Sequence, residues 1–275
     1  MTSAKINSPS LWQDLLPKLN AYSNKYTRGS ALIVGGYPIT GAARLAALAC
    51  ARTGAGITAI SSPQIALPIY ASSMLSVMVK PYDSDKSFHA LISDERISAY
   101  LIGPGAGVTH ETMAQSLTIL SRNKPCVLDA DAIKSFTGHL ATLRNAIQSP
   151  CVLTPHEGEF RHLFELGEDR KNAVLHAAQQ TGAIILLKGS DTLVAHPDGR
   201  LVINKNAPPT LATAGSGDVL AGIITGLLAQ GMPAFEAAMA ATWIHAEAAR
   251  LFGTGLIAED LIEMLPTVLT GLVEG

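Results

Sequence analysis

An α/β domain built on a mainly parallel sheet is the fold class this sequence predicts, and three observations predict it. Short, continuous apolar runs recur along the 275 residues, helical patterns alternate with them, and glycines gather where one element gives way to the next. Continuous apolar runs are what strands need when helices cover both faces of their sheet.

Taken in order, strands are expected at 31–35 (ALIVG), 56–60 (GITAI), 75–79 (LSVMV), 99–103 (AYLIG), 126–130 (CVLDA), 151–155 (CVLTP) and 183–189 (AIILLKG). Between the first two, GAARLAALACARTGAG places Leu45, Leu48, Ala49 and Arg52 at i, i+3, i+4 and i+7, a core-facing helix that Gly54 stops. Residues 108–123, 169–182 and 235–252 read as helices too, and the apolar stretch Val219 to Ala229 as a buried one. TLVAH (192–196) and RLVIN (200–204), joined by Pro197, Asp198 and Gly199, form a hairpin, so part of the sheet is antiparallel. No linker, charge run or repeat divides the chain, and residues 1–275 read as a single domain.

Composition narrows the function. With 48% hydrophobic and 15% charged residues and a net charge of −2, the chain carries no polybasic field for nucleic acid or anionic membrane. Anion binding therefore has to come from local geometry. The longest apolar stretch is shorter than the roughly 20 residues a membrane span needs. The N-terminus lacks the apolar run and cleavage site of a secretion signal. Cys50, Cys126 and Cys151 are odd in number and sit singly in apolar runs, which suits buried thiols in a reducing cytoplasm.

Two glycine turns, GGYPITGAA (35–43) and GPGAG (103–107), follow strands and open helices, at the sheet edge where ligands of open α/β sheets bind. Neither is a dinucleotide fingerprint. The G-x-G-x-x-A match at Gly54, Gly56 and Ala59 precedes a strand, the reverse of a Rossmann turn. There is no Walker loop, and HEGEF has Phe160 where a zinc protease needs its second histidine. The strongest pattern is TAGSGDVLAG: small residues, then a helix whose first turn offers free N–H groups and a positive dipole end to an anion. Asp218 in that turn is either a cap worth about 1 kcal/mol or a base beside a bound phosphate. The paired acids Asp129 and Asp131 in LDADA could line the cleft, yet Asp131 also reads as an N-cap for the following helix, and neither is assigned a role. His89, His110, His139, His176 and His245 offer no evident partner and read as structural.

Together GGYPITGAARLAALACARTGAG, IGPGAG, VLDADAI, LTPHEGEF, LLKGSDTLVAHPDG, ATAGSGDVLAGIITGLLAQG and LIAEDLIEMLP resemble the ribokinase-like superfamily, and within it the ADP-dependent NAD(P)H-hydrate dehydratases, from about residue 24 to 267. The resemblance implies a three-layer α/β/α sandwich. It implies that the ring hydroxyl of the S epimer of hydrated NADH or NADPH is activated by phosphoryl transfer from ADP, releasing AMP, and that loss of phosphate restores the double bond. Carried over residue by residue, Asp218 is the catalytic base. Ala43, Gly107, His156 and Asp218 bind the hydrated dinucleotide; Lys188, Gly189, Ser190, Asp191, Thr192 and Gly217 bind the nucleotide. Mg2+ is implied between phosphates, with Glu159 a candidate participant.

Two departures touch the substrate rim: the glycine loop at 35–41 is short for the family, and Glu157 stands where proline is common. The resemblance further implies a separate epimerase, since only about two dozen residues precede the match, and a homotetramer, in keeping with the apolar tail LIEMLPTVLTGLV. A thiazole or hydroxymethylpyrimidine kinase of the same superfamily is the alternative enzyme; a nucleotide sensor without turnover is the alternative of another class, against which the intact Asp218 argues.

Overall fold

The computed structural model describes residues 4–274, and within them ten strands form one sheet. These are β1 (Lys5–Ile6), β2 (Ser30–Val34), β3 (Ile57–Pro63), β4 (Met78–Tyr82), β5 (Ala99–Ile102), β6 (Cys126–Leu128), β7 (Cys151–Leu153), β8 (Ile184–Leu187), β9 (Thr192–Ala195) and β10 (Leu201–Asn204). They lie in the order β1-β10-β9-β8-β7-β6-β5-β2-β3-β4. β9 runs antiparallel to both its neighbours and every other pairing is parallel.

The helices are α1 (Gly41–Arg52), α2 (Leu67–Ser73), α3 (Asp85–Ile92), α4 (His110–Leu120), α5 (Ala130–Ser135), α6 (Leu140–Ala146), α7 (Glu157–Phe160), α8 (Arg170–Thr181), α9 (Ser216–Ala229), α10 (Ala234–Phe252) and α11 (Ala258–Glu274). Along β2, Ala31 and Ile33 enter the core under α1, α2 and α9–α11, while Leu32 and Val34 enter the one under α3–α8. That alternation explains the unbroken apolar runs: both faces of the sheet are buried.

Two sequence expectations change, and one strand is new. The fourth strand sits at Met78–Tyr82, not 75–79; it is a sheet edge, Leu75 is fully exposed, and Pro81 is tolerated where no inner neighbour needs its N–H. β1, only two exposed residues long, carries no periodic pattern to read. In α1 the buried stripe is Ala43, Ala46, Ala47, Ala49 and Cys50, while Leu45 and Leu48 are only partly covered and Arg52 is exposed. Small residues win that face because α9 crosses it in near backbone contact: a Cβ on Gly222 would lie 2.2 Å from the carbonyl oxygen of Ala46. The three cysteines are buried free thiols, with Cys126 and Cys151 paired in register across β6 and β7.

Candidate active site

β2 and β5 are adjacent, with β3 and β4 beyond one and β6 to β10 beyond the other. The strand order therefore reverses between them, and a crevice opens past their carboxyl ends. Both glycine turns lie there, in close approach. A Cβ on Gly36 would fall 1.7 Å from the Gly105 carbonyl oxygen, so no side chain fits between the loops. Gly103, Gly105 and Gly107 all have positive φ, a conformation that glycine adopts without strain.

Ala43 occupies the first turn of α1, whose N-cap Thr40 makes no side-chain cap bond. Its methyl is fully buried in the core, so what it offers a ligand is its backbone amide. The Gly107 N–H donates to Asp131 Oδ2 at 2.9 Å, while Asp131 Oδ1 pairs with Lys134 at 2.9 Å. Asp131 is thus a brace for the glycine loop and not the N-cap expected of it. The N-cap of α5 is Asp129, and its side chain caps nothing because it turns to Lys188.

The expected nucleotide motif, residues 188–192, closes the antiparallel turn between β8 and β9. Lys188 is fixed at both ends. Its N–H donates to the Pro155 carbonyl at 2.8 Å, and its Nζ lies 2.9 Å from Asp129 Oδ1 and 3.8 Å from Glu159 Oε2. Burial pulls its pKa down, but the carboxylates of Asp129 and Glu159 outweigh burial and hold it above the usual lysine value. His156 bridges to Lys188 as a parallel pair and caps α7, its Nδ1 accepting the Glu159 N–H at 3.2 Å while Glu159 Oε2 accepts the His156 N–H at 3.0 Å. Its ring is largely exposed at the mouth.

Across the crevice stands the N-terminus of α9. Gly215 enters it at φ +85° and no side chain caps it; the Ser216 N–H donates to the Thr213 carbonyl at 3.4 Å, and the amides of Gly217 and Asp218 are left to hold an anion. Gly217 faces Lys188, with a Cβ there 3.3 Å from Nζ. Asp218 is half-buried and, among the described residues, accepts no hydrogen bond. Burial pushes its pKa up to about 7, Asp129 adds to the rise, and Lys188 opposes it. A carboxyl poised near neutrality on an anion-binding helix end suits a general base. His245, read as structural with no partner evident in the sequence, anchors this turn: its Nε2–H donates to the Ser216 carbonyl at 2.9 Å. Burial lowers its pKa to about 4, which keeps the ring neutral.

A cavity of about 700 Å³ runs from this helix end along the 188–192 turn. Lys188, Gly189, Ser190, Thr192, Gly217 and His156 line it, and Pro208, Leu211, Leu220 and Ala246 give it an apolar floor. Asp191 lies outside that lining, as do Ala43, Gly107 and Asp218; Asp218 adjoins it through Gly217 and feels the charge of Asp131, which holds the Gly107 amide. The two assigned sets are not cleanly divided: His156, assigned to the dinucleotide, shares the cavity with Lys188, Gly189, Ser190, Thr192 and Gly217, whereas Asp191, assigned to the nucleotide, does not line it. Among the described residues no three His, Cys, Asp or Glu are grouped to hold a metal ion, and Glu159 is committed to His156 and Lys188. Asp129, whose partner Lys188 is 59 residues away, is the site residue the sequence left unassigned.

A family model described as NAD(P)H-hydrate dehydratase matches residues 31–270. The chain is 40% identical over 264 residues to the bifunctional NAD(P)H-hydrate repair enzyme of Salinibacter ruber, an alignment spanning 89% of this chain and 48% of that one. It is 36% identical over 264 residues to the ADP-dependent (S)-NAD(P)H-hydrate dehydratase of Neisseria meningitidis serogroup B, spanning 92% and 83%. The ADP/ATP-dependent NAD(P)H-hydrate dehydratase of Bacillus subtilis, co-crystallised with ATP/Mg2+, superposes with a TM-score of 0.87 at 28% identity, over 99% of this chain and 100% of that one. The chain spans about half the length of the bifunctional relatives it matches. The ribokinase-like α/β/α sandwich with its antiparallel hairpin is confirmed as its fold. Because the match runs through every strand end and helix that walls the crevice, the chain belongs to the NAD(P)H-hydrate dehydratase family.

Proposed function

We propose that this protein is an ADP-dependent hydro-lyase that repairs the S epimer of hydrated NADH and NADPH. The observation that carries the reading is Asp218: a half-buried carboxyl with pKa near 7, on an uncapped helix end, between the glycine crevice and the cavity at 188–192. In its ionised form it takes the proton of the ring hydroxyl as that oxygen attacks the terminal phosphorus of ADP. The bond to AMP breaks, and AMP leaves. The amides of α9's first turn and Lys188 hold the charge on the transferring group. The phosphorylated carbon then loses phosphate, with the hydroxyl oxygen in it, and a proton leaves the neighbouring carbon. Hydrated cofactor and ADP thus become reduced cofactor, AMP and phosphate.

In this reading Ala43 and Gly107 offer backbone, and His156 its exposed ring, to the hydrated dinucleotide. Lys188, Gly189, Ser190, Asp191, Thr192 and Gly217 take the nucleotide. A Mg2+ ion arriving with ADP would screen its phosphates and take its ligands from phosphate oxygens. The residues present form no cage for it, and no step above depends on one.

The hydrated cofactor forms as two epimers, so an epimerase must supply the S form; the bifunctional relatives suggest that coupling. Nucleotide substrates fit a cytoplasmic enzyme, and no helix among the described residues is long and apolar enough to cross a membrane. Self-association, up to a homotetramer, is tested by light scattering, where a monomer mass at working concentration would reject it.

The test of function follows near-ultraviolet absorbance of reduced nicotinamide with hydrated NADH, Mg2+ and either ADP or ATP, with Asp218→Asn as control. A rise with ADP that disappears in the variant is expected. Phosphorylation of a thiazole or pyrimidine alcohol with no rise would reject this reading in favour of a vitamin-precursor kinase; nucleotide binding with no turnover of either kind would leave a sensor.

A further inference from the structure

The turn between β8 and β9 is held firmly at its ends and weakly in its middle. Lys188 is tied to Pro155 and Asp129. At the other end the Thr192 hydroxyl donates to the Gly189 carbonyl at 3.1 Å. Gly189 and Ser190 between them are exposed. What backs this segment is Arg170, the first residue of α8. Its Nη1 lies 3.5 Å from the Asp191 carbonyl, and a Cβ on Gly189 would lie only 2.7 Å from its Nη2.

Arg170 is itself fixed from the other side. Its Nε lies 3.0 Å from Glu157 Oε1, and Glu157 Oε2 lies 3.5 Å from Arg161 Nη1. The Nε is buried and makes no hydrogen bond, so Glu157 holds the guanidinium through charge at 3.0 Å. Glu157 follows His156 directly and opens α7. One planar cation therefore joins the helix that starts at the dinucleotide side to the turn on the nucleotide side.

We propose that Glu157 and Arg170 form a brace that holds residues 189–191 in their nucleotide-binding shape, which makes Arg170 a positioning residue for ADP. This rests on the nucleotide reading of the 188–192 turn given above. A flexible turn must lose conformational freedom when a phosphate binds it, and a turn already pinned from behind loses less. The brace therefore acts on nucleotide affinity and leaves the base and the hydrated dinucleotide untouched. The guanidinium sets one nitrogen against the carboxylate and another against the carbonyl, a span that the single ammonium of lysine does not supply.

The experiment compares wild type, Arg170→Met, Arg170→Lys and Glu157→Gln by calorimetric titration with ADP in Mg2+ and by steady-state turnover of hydrated NADH. Arg170→Met is expected to weaken ADP binding and raise the KM for ADP about tenfold, with kcat, the KM for hydrated NADH and the thermal midpoint close to wild type. Arg170→Lys recovers less than half of the loss. Glu157→Gln acts in the same direction, and the double variant Glu157→Gln with Arg170→Met is no worse than Arg170→Met alone, as partners in one device behave. An unchanged ADP affinity in Arg170→Met would overturn the brace, and so would an equal loss in both KM values with a lowered thermal midpoint, the mark of a merely structural contact. Absence of turnover in wild type would reject the repair reading while the ADP titration still decides the brace; absence of ADP binding would reject both.

Discussion

Nζ of Lys188 lies 2.9 Å from Oδ1 of Asp129, joining the turn after β8 to the end of β6 across the intervening β7. The Asp129 side chain is 1% exposed, so this pair is buried charge on charge. Lys188→Met should destabilise the fold by about 3–5 kcal/mol, since removing one partner strands the other without water. Adding Asp129→Asn should recover much of that loss. Denaturant titration of the two single variants and the double variant checks it; a Lys188→Met protein as stable as wild type would mean that the pair is solvated.

The same neighbours set the pH dependence of activity. Asp218 must be ionised to act as base, so kcat/KM should fall about tenfold per pH unit below an inflection near 7. Lys188 lowers that pKa and Asp129 raises it. Asp129→Asn should therefore move the inflection to lower pH and Lys188→Gln to higher pH. Profiles measured with hydrated NADH at saturating ADP separate the two; shifts in one common direction would contradict the assignment of the base.

Asp218 should also cost stability. Its pKa is near 7 in the folded chain against 3.8 for the free side chain. Between those values the unfolded chain has released the proton while the folded chain keeps it, so stability falls as pH rises through the window and the cost is complete above 7. Asp218→Asn should abolish turnover yet gain about 2–4 kcal/mol at pH 8, or a thermal midpoint higher by roughly 4–10 °C. Below pH 4 the gain should vanish. A variant less stable than wild type at pH 8 would show that the carboxylate is favourably held.

Much of this was legible in the sequence because buried strands and glycine turns leave local patterns. GSGD marked the free helix end, and KGSDT marked the turn opposite it. Asp129 was not legible in the same way: its meaning depends on a lysine 59 residues away, and LDADA gives it no more weight than Asp131. His245 was read as structural, as it is, but its partner was not legible for a similar reason, since it lies 29 residues back on another helix. The alanine face of α1 was misjudged because periodicity ranks leucine above alanine, whereas close helix contact reverses the ranking.

That contact gives the last prediction. α1 and α9 both begin at the crevice, one with the amide of Ala43 and the other with Gly217 and Asp218, and they pack through Gly222 against Ala46 and Gly226 against Cys50. Gly222→Ala would place a methyl 2.2 Å from a backbone carbonyl, which no rotamer relieves, so the helices must part. The expected cost is about 1–3 kcal/mol or more, and because the two helix starts move apart, kcat should fall as well. Gly271→Ala in α11 is the matched control: a Cβ there meets nothing within 4 Å, and replacing a helix-interior glycine should gain about 0.5–1 kcal/mol. Thermal melts and turnover of both variants decide it. If Gly222→Ala melts with wild type and keeps its rate, the helix pair does not hold the two halves of the site together.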